Sequence, residues 1–295
     1  MKRRMSQDQV VYFLNYVGLM LLLIIVIYPL IFIVSSSFSS GEALMTGQVW
    51  LYPVDFTLDG YSAVLGYTRI WRGFMNSIIY TVSGTILSVV LTLLAAYPLS
   101  REDFRGNKFF TILFLFTMMF NGGLIPTFLL VRNLGMIDTI WAIILPGSVS
   151  AFNMIIARTF FRQSIPKELK EAAEMDGCED FNFFLKIVVP LSKPIIAVLS
   201  LWVIVALWNA YFIPLIYLNS QELEPLQLVL RRIILLSQVN FGNSAVDPAA
   251  LARNMHLSEM LRYGTIVVST IPLMIIYPFV QKHFVKGVMI GSVKG

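Results

Sequence analysis

The chain has 295 residues, of which 57% are hydrophobic and 13% are charged, with a mean hydropathy of +0.75 and a formal net charge of +5. An ordinary soluble domain contains about 25% charged residues, so this composition excludes a soluble globular protein and indicates a membrane protein. The excess of basic residues is typical of the cytoplasmic loops of such a protein, and no nucleic-acid partner is expected.

Six apolar stretches are long enough to cross a bilayer, because about 20 residues span its hydrocarbon core. They predict an all-α, polytopic bundle of six transmembrane helices, since backbone groups in lipid are paired within helices and no stretch alternates like a barrel strand. The first stretch is too long for a signal peptide and is interpreted as a retained span. The whole chain, 1–295, is treated as one transmembrane domain. The predicted spans are 12–36, 73–99, 109–131, 139–157, 195–219 and 263–281.

Basic residues predict the orientation of the bundle, because Lys and Arg are enriched in cytoplasmic loops. An even number of spans places both termini on one side, and placing them in the cytoplasm puts fifteen basic residues inside and seven outside. This orientation leaves an inner loop at 158–194 and an outer loop at 220–262. The inner residues are Lys2, Arg3, Arg4, Arg101, Arg105, Lys108, Arg158, Arg162, Lys167, Lys170, Lys186, Lys193, Lys282, Lys286 and Lys294. The outer residues are Arg69, Arg72, Arg132, Arg231, Arg232, Arg253 and Arg262.

The sequence contains few groups that could carry out chemistry. No predicted span has an Asp, Glu, Lys or Arg near its middle, which disfavours an ion-coupled carrier, although a sodium site built from carbonyl groups stays open. No P-loop, zinc-protease or nucleophile-elbow motif occurs, and the lone Cys178 and two histidines do not have metal-ligand spacing. We therefore expect no catalytic residue, metal or cofactor in this chain. If it drives transport, the energy enters from another protein; a self-contained carrier or channel for a small neutral solute and a membrane enzyme acting on lipid-linked substrates are the alternatives.

The inner loop predicts a short amphipathic helix with defined ends. Ser164 is expected to cap its start, Pro166 to occupy its first turn, and Gly177 to adopt the left-handed conformation that stops it. A second helix is predicted from Glu179 or Asp180 onward. One side of the first helix is expected to collect Ile165, Leu169, Ala172, Ala173 and Asp176.

Two interpretations of this amphipathic helix remain open from its spacing. The adjacent Ala172 and Ala173 offer little to lipid but permit the close approach of a partner protein, so docking is one interpretation. The other is an interfacial helix lying on the lipid headgroups, which would be expected to carry bulkier apolar residues and fewer acidic ones.

The string Glu171-Ala172-Ala173, followed by Gly177, Ile187 and Pro190, resembles the EAA signature of permease subunits of bacterial ATP-binding cassette importers. The fuller pattern is similar to the carbohydrate-uptake branch, the relatives of the smaller permease of the maltose importer. Phe120 to Pro126 is similar to permeases for large oligosaccharides derived from plant or algal polysaccharides. Further matches are Asn76-Ser77, Ala96 to Arg101, Trp208-Asn209 and the terminal Gly291 to Gly295.

This resemblance implies a function and a set of partners. It implies an ATP-driven importer in the bacterial cytoplasmic (inner) membrane, surrounded by lipid, that takes a carbohydrate, specifically an oligosaccharide, from an extracytoplasmic solute-binding protein. A second, homologous permease subunit and two ATPase subunits would complete it, with ATP and Mg bound by the ATPases. In the family the inner loop forms a coupling helix seated in a cleft of the ATPase. The residues it assigns to ATPase coupling are Glu171, Ala172, Ala173, Asp176 and Gly177.

Polar residues within the spans are candidates for the substrate path: Asn153, Asn209, Tyr211 and Asn121. Amides and aromatic faces suit a neutral, hydroxyl-rich sugar better than charges do. The alternative is that each amide only bonds a neighbouring helix, for about 1 kcal/mol.

The outer loop is amphipathic, and the resemblance implies that it reaches toward the binding protein. The alternative is a lid packed on its own bundle. The apolar residues concerned, which precede Arg231 and Arg232, are Leu223, Leu226, Leu228, Val229 and Leu230.

Overall fold

The computed structural model describes residues 7–120, 122–239 and 248–292 of the chain. These residues are mainly helical and include no strand, which confirms the all-α class. Asn121, one of the predicted path residues, lies outside the described residues. The helices are α1 (Gln7–Ser37), α2 (Gly41–Met45), α3 (Asp59–Gly66), α4 (Thr68–Ser100), α5 (Asn107–Met119), α6 (Leu124–Asn133), α7 (Trp141–Ile144), α8 (Ala151–Ser164), α9 (Lys167–Met175), α10 (Asp180–Phe183) with a π-helical turn (Phe184–Val188), α11 (Val189–Leu191), α12 (Lys193–Trp208), α13 (Phe212–Tyr217), α14 (Leu226–Val239) and α15 (Pro248–Ser292).

Two of the helices are long and apolar enough to cross a membrane on their own. They are α1, over Val11–Ser37, and α4, over its whole length, and they match the first two predicted spans. Two bent pairs qualify only if each is taken as one span: α5 with α6, bent by 113°, and Asp180–Leu191 with α12, bent by 77°. The described residues thus contain two to four candidate spans by length and composition, and the count of six stays a prediction.

The predicted span at 139–157 is wrong as a single helix. In the structure α7 ends at Ile144, and α8 begins only at Ala151. Pro146 lies in this break, and proline lacks the amide hydrogen and crowds the preceding turn, so it opposes a continuous helix.

The predicted span at 195–219 is interrupted in the same way. The helix α12 ends at Trp208, and α13 begins at Phe212. Pro214 has no N–H to donate to the carbonyl group of Ala210, so the break falls one turn before the proline.

The described residues fall into two compact groups, one within 1–71 and 229–271 and the other within 72–228 and 272–295. In the first group, α1 exposes every side chain from Val11 to Leu30. Because such an apolar surface is not stable in water, lipid or other subunits must cover it. The assignment of 1–295 as a single domain stays a prediction.

In the second group, other helices pack around α4 to form a core. Small hydroxyl residues spaced three or four apart place one polar stripe of α4 against its neighbours, as is common where membrane helices pack closely. The buried members of this stripe are Ser77, Thr81, Thr85, Ser88 and Thr92. At one end of the helix, Ala96 packs in a cluster with Met154 of α8, Ala173 of α9 and Leu199 of α12.

Candidate docking site and bundle cavity

The helix predicted in the inner loop is present as α9, and its end is as expected. Gly177 has φ +74°, and the amide of Cys178 donates to the carbonyl of Ala173 at 2.9 Å while that of Gly177 donates to Glu174 at 3.0 Å. This pair of hydrogen bonds is the Schellman arrangement that closes a helix at a left-handed glycine. The predicted left-handed stop is confirmed.

The start of α9 differs from the prediction. Ser164 does not cap it, because α8 continues through Ser164 and the chain turns at Ile165. Pro166 occupies the N-cap position of α9 in an extended conformation, and no side chain caps the first turn. Proline suits this position because the first amide groups of a helix have no partner inside the helix.

The two sides of α9 face different surroundings, and the residues are distributed between these sides differently from the prediction. Ala173 is buried and packs with Leu169, four residues earlier, on the bundle core. Ala172 and Asp176 are exposed, together with Glu171. The predicted grouping of Ala172, Ala173 and Asp176 on one side is therefore wrong. Ala172 is turned by about 100° from Ala173, and Asp176 is the C-cap residue, where the helix ends.

The exposed side of α9 combines acidic and apolar groups. Met175 is 87% exposed, and it lies three residues after Ala172 and four after Glu171, on the same face. This exposed side chain, beside the small Ala172, leaves the face open to contact with a partner protein. We call Glu171, Ala172, Met175 and Asp176 the outer face of α9.

A network of ion pairs fixes α9 and α10 to the loop that follows α4. Arg101 contacts Asp180 of α10 at 2.5 Å and also pairs with Asp103. Asp103 in turn accepts from Lys170 of α9 at 3.1 Å, and Lys170 contacts Glu174 at 2.9 Å. These five groups lie on three separate chain segments, so the network holds those segments together.

A second contact joins the same two segments nearby. Lys167, at the start of α9, lies 2.5 Å from Glu102. Because both side chains are more than half exposed, this pair contributes less than the better shielded pair of Lys170 and Asp103.

The network shifts the pKa values of its members in the direction that keeps them charged. The hydrogen bond from Arg101 holds the pKa of Asp103 well below its usual range. Burial opposes the charge of Lys170, but hydrogen bonds to Glu174 and Asp103 outweigh it and raise the pKa of Lys170. Asp103 and Lys170 are therefore both charged near neutral pH.

Uncharged and charged donors also secure the end of α4. Asn107 donates to the carbonyl groups of Leu99 and Arg101, each at 2.7 Å, and Arg158 of α8 donates to Leu99 at 2.7 Å. These carbonyls have no partner within the helix, so the contacts satisfy them and fix the direction of the following loop.

Sequence analysis did not assign Arg101, Asp103 or Lys170 to this site. A signal was present, because charges of both signs follow the second predicted span directly and charges of both signs also lie on the amphipathic helix. The pairing could not be read from the sequence, since 67 positions separate Asp103 from Lys170.

A cavity of about 800 Å³ lies within the second group and includes one predicted path residue, Asn153. The aromatic side chains of Phe152 and Trp202 line it, with ring centroids 5.8 Å apart. None of the described residues that line it is an Asp, Glu, Lys, Arg or His. The other lining residues are Gly84, Ser88, Gly123, Leu124, Thr127, Ile143, Ile144, Pro146, Gly147, Ser148, Ser150, Val203, Ala206, Leu207, Ala210, Ile213 and Tyr217.

The other two path residues that the structure describes do not line this cavity. Asn209 donates to the carbonyl of Val205, one turn earlier in its own helix, at 2.9 Å. Tyr211 is 47% exposed between α12 and α13. Their predicted role in the path stays a prediction.

The start of the outer loop is bound to α4 of its own bundle. Asn76 donates to the carbonyl groups of Glu222, at 2.7 Å, and Glu224, at 3.1 Å. Ser77 accepts from the amide of Leu226 at 2.9 Å. The apolar residues Leu226, Leu228, Val229 and Leu230 of this loop are buried, and the polar Gln227 between them is partly exposed. This burial agrees with the lid interpretation for the described part of the loop.

The family of the chain follows from its sequence match and agrees with this architecture. Residues 63–290 match the binding-protein-dependent transport system inner membrane component, so the chain belongs to that family of membrane permeases. The family consists of non-enzymatic membrane subunits of ABC transporters, in which the ATPase is a partner subunit. The resemblance seen in the sequence is thereby confirmed.

Individual relatives match over nearly the full length of the chain. The polygalacturonan/rhamnogalacturonan transport system permease protein YtcP of Bacillus subtilis is 41% identical over 283 residues, which cover 96% of this chain and 97% of that protein. The arabinooligosaccharides transport system permease protein AraQ of Halalkalibacterium halodurans is 30% identical over 303 residues, covering 100% of both.

A solved structure is similar to the fold as well. It is the crystal structure of a bacterial ABC transporter involved in the import of the acidic polysaccharide alginate, with a TM-score of 0.85 and 36% sequence identity. The match covers 96% of this chain and 100% of the chain in that structure.

Proposed function

We propose that this chain is one permease subunit of an ATP-driven importer that moves an oligosaccharide into the cytoplasm. The names of several relatives support a carbohydrate cargo, since they transport polygalacturonan, arabinooligosaccharides or maltodextrin. The proposal includes a second homologous permease, two ATPase subunits that bind ATP and Mg, and an extracytoplasmic solute-binding protein.

The observation that carries this proposal is the construction of α9. One side of the helix packs on the bundle core through Ala173, and Lys170 ties it to Asp103, while the outer face presents Met175 to solvent. A helix that is joined to the bundle on one side and carries an exposed methionine on its free side suits a docked ATPase, because movement of the partner is then passed to the bundle rather than absorbed by a loose loop.

The outer face also argues against a helix resting on lipid headgroups. Glu171 and Asp176 flank Met175, and carboxylates are repelled by the anionic surface of a cytoplasmic leaflet. The predicted coupling residues accordingly divide between two tasks. We assign Glu171, Ala172 and Asp176 to contact with the ATPase, and we assign Ala173 and Gly177 to the packing and the end of the helix.

The topology forms part of the same proposal. Six spans with both termini in the cytoplasm place the inner loop, and therefore α9, on the side where ATP is available. The distribution of fifteen basic residues inside and seven outside supports this orientation. It also places the start of the outer loop, near Asn76, on the side of the binding protein.

The test is to express the chain with its second permease and ATPase subunits and to measure how much ATPase is retained on purification. We expect Met175→Glu and Ala172→Glu to release the ATPase while the two permeases stay together, because a new buried charge would oppose docking. Tyr52→Glu is the matched control, since Tyr52 is 79% exposed and lies outside α9.

Two results would contradict the proposal. One is retention of the ATPase at the level of the unaltered complex in both α9 variants. The other is uptake and accumulation of a solute by this chain alone in sealed vesicles, which would favour a self-contained carrier.

A further inference from the structure

The cavity beside Asn153 differs in its lining from a simple packing gap between helices. We propose that it is a subsite in which one uncharged sugar ring stacks on Trp202 and hydrogen bonds to Asn153, and that this chain selects for a neutral unit of the cargo. This inference rests on the proposed function, because it names the part of the oligosaccharide that this permease would recognise.

The first observation is that the aromatic rings are open to the cavity. Trp202 is 38% exposed and Phe152 is 50% exposed, and their planes are tilted by only 32° to each other. The C–H faces of a sugar ring are apolar and pack on flat aromatic surfaces of this kind, as other apolar groups do. Two neighbouring rings on α8 and α12 therefore offer a stacking surface.

The second observation concerns depth along the helix. Trp202 lies nine residues after Lys193, where α12 begins, which corresponds to about 14 Å along the helix axis. Because α12 is a 16-residue helix, this position is close to its middle. In the proposed topology the middle of α12 lies within the membrane, where transporters generally bind their substrates.

The third observation is an unused amide. The side chain of Asn153 makes no hydrogen bond with any residue in the described part of the chain, whereas Asn209 is bonded within its own helix. An amide at a membrane helix interface normally bonds a neighbour. Its donor and acceptor atoms are therefore available to sugar hydroxyl groups, which can both donate and accept.

The hydroxyl groups of the wall complement this amide. Ser148 donates to the carbonyl of Leu145 at 2.8 Å, and Thr127 donates to that of Gly123 at 2.7 Å. Each hydroxyl thus uses its hydrogen on its own helix or turn and retains oxygen lone pairs as acceptors. The wall suits a ligand rich in hydroxyl donors.

The fourth observation is the absence of charge among the described lining residues. A uronate carboxylate would enter this side of the cavity without a cation from this chain, and an unpaired charge in an apolar pocket is costly. The cavity therefore favours an uncharged sugar unit.

The experiment uses the complete importer, with its binding protein, in sealed phospholipid vesicles that contain ATP. Neutral galacto-oligosaccharides and galacturonate oligosaccharides of equal length are the probes, and uptake of each is measured. We expect the neutral probe to be imported, and Trp202→Ala to reduce its uptake about tenfold. Trp50→Ala is the control, because Trp50 is 67% exposed and does not line the cavity.

A charge inserted at Asn153 then tests the selectivity directly. Asn153→Lys is expected to raise the ratio of acidic to neutral uptake by about tenfold, and Asn153→Asp is expected to lower it, because each adds a charge beside the bound ring. Opposite shifts in the two variants cannot come from a general loss of stability.

The outcomes separate this inference from the proposed function. Unchanged uptake in Trp202→Ala, or equal ratios in the two Asn153 variants, would overturn the subsite, as would import of the galacturonate probe alone. ATP hydrolysis stimulated by the binding protein would persist in those cases and leave the proposed function intact. Loss of ATPase dependence would instead refute the proposed function.

Discussion

Lys170 of α9 contacts Asp103 at 3.1 Å, so the proposed docking helix is joined to the loop that follows α4, a candidate membrane-spanning helix. At the opposite end of α4, Asn76 holds the start of the outer loop through Glu222. The helix α4 is continuous between these contacts. Under the proposed function, a displacement of α9 would be transmitted along α4 to the start of the outer loop.

The pair of Lys170 and Asp103 is expected to contribute to coupling. Lys170→Met and Asp103→Asn should each lower the amount of sugar imported per ATP hydrolysed, and the double variant should lose less than the sum of the two. The coupling free energy between Lys170 and Asp103, measured by this double-mutant cycle, should be about 0.5 kcal/mol, because the side chain of Asp103 is 58% exposed and solvent screens the pair.

Lys108→Met is the control for this pair, since Lys108 is an exposed basic residue close to the same loop and forms no ion pair with the described residues. Strictly additive losses in the double variant would show that the contact has no role in coupling.

The same interaction should be independent of pH across the physiological range. Because the pKa of Asp103 is lowered on folding, its charge contributes fully to the interaction at any pH above the pKa of Asp in an unfolded chain, about 3.9. This contribution is lost only as the pH falls through the lower pKa of the folded state. The raised pKa of Lys170 makes its contribution complete below about 10.4 and lost as the pH rises further.

The interaction energy obtained from the unaltered protein, the two single variants and the double variant should therefore be equal at about pH 5.5 and about pH 8.5, within the range where both groups are charged. A decrease of more than half between these two values would mean that another titrating group controls the network.

The effect of a substitution at Gly177 should depend on how readily the new residue adopts the left-handed backbone conformation, and not on the size of its side chain. No atom lies within 4 Å of a Cβ built at this position, so the cost comes from its φ of +74°. Gly177→Ala should destabilise the end of α9 by about 1 kcal/mol and Gly177→Asn by less, because Asn adopts the left-handed conformation more readily. Gly177→Val should be the most damaging, since a β-branched residue fits it worst.

The readout for the glycine variants is the ATP hydrolysis that the binding protein stimulates. Gly66→Ala is the control, because Gly66 is equally open but has no positive φ and ends a helix. Equal loss in the Ala, Asn and Val variants would rule out backbone strain as the cause.

Asn76→Ala should loosen the start of the outer loop. Loss of its two hydrogen bonds to Glu222 and Glu224 removes about 1 kcal/mol each, so amide hydrogen exchange in residues 220–228 should become faster. Asn209→Ala should leave that segment unchanged, since Asn209 bonds only to Val205 of its own helix among the contacts described for its side chain. Unaltered exchange in Asn76→Ala would mean that Ser77 and Tyr80 suffice to hold the loop.

Sequence analysis correctly predicted the all-α class, the first two spans, α9 and its stop at Gly177. These features depend on local properties: the length of an apolar stretch, the period of a helix and the conformational freedom of glycine. It was wrong where a proline divided a span, at 139–157 and 195–219, because hydrophobicity measures the length of a stretch and not its continuity.

Apolar composition and helical period determined by themselves that this chain is a helical membrane protein with an amphipathic inner loop. Only the tertiary structure decided which side of α9 is free, that Lys170 meets Asp103, and that Asn153 lies beside Trp202 while Asn209 does not. The physical reason is that local periodicity acts over a few residues, whereas these contacts join segments far apart in the chain, and their partners are selected by the packing of the whole bundle.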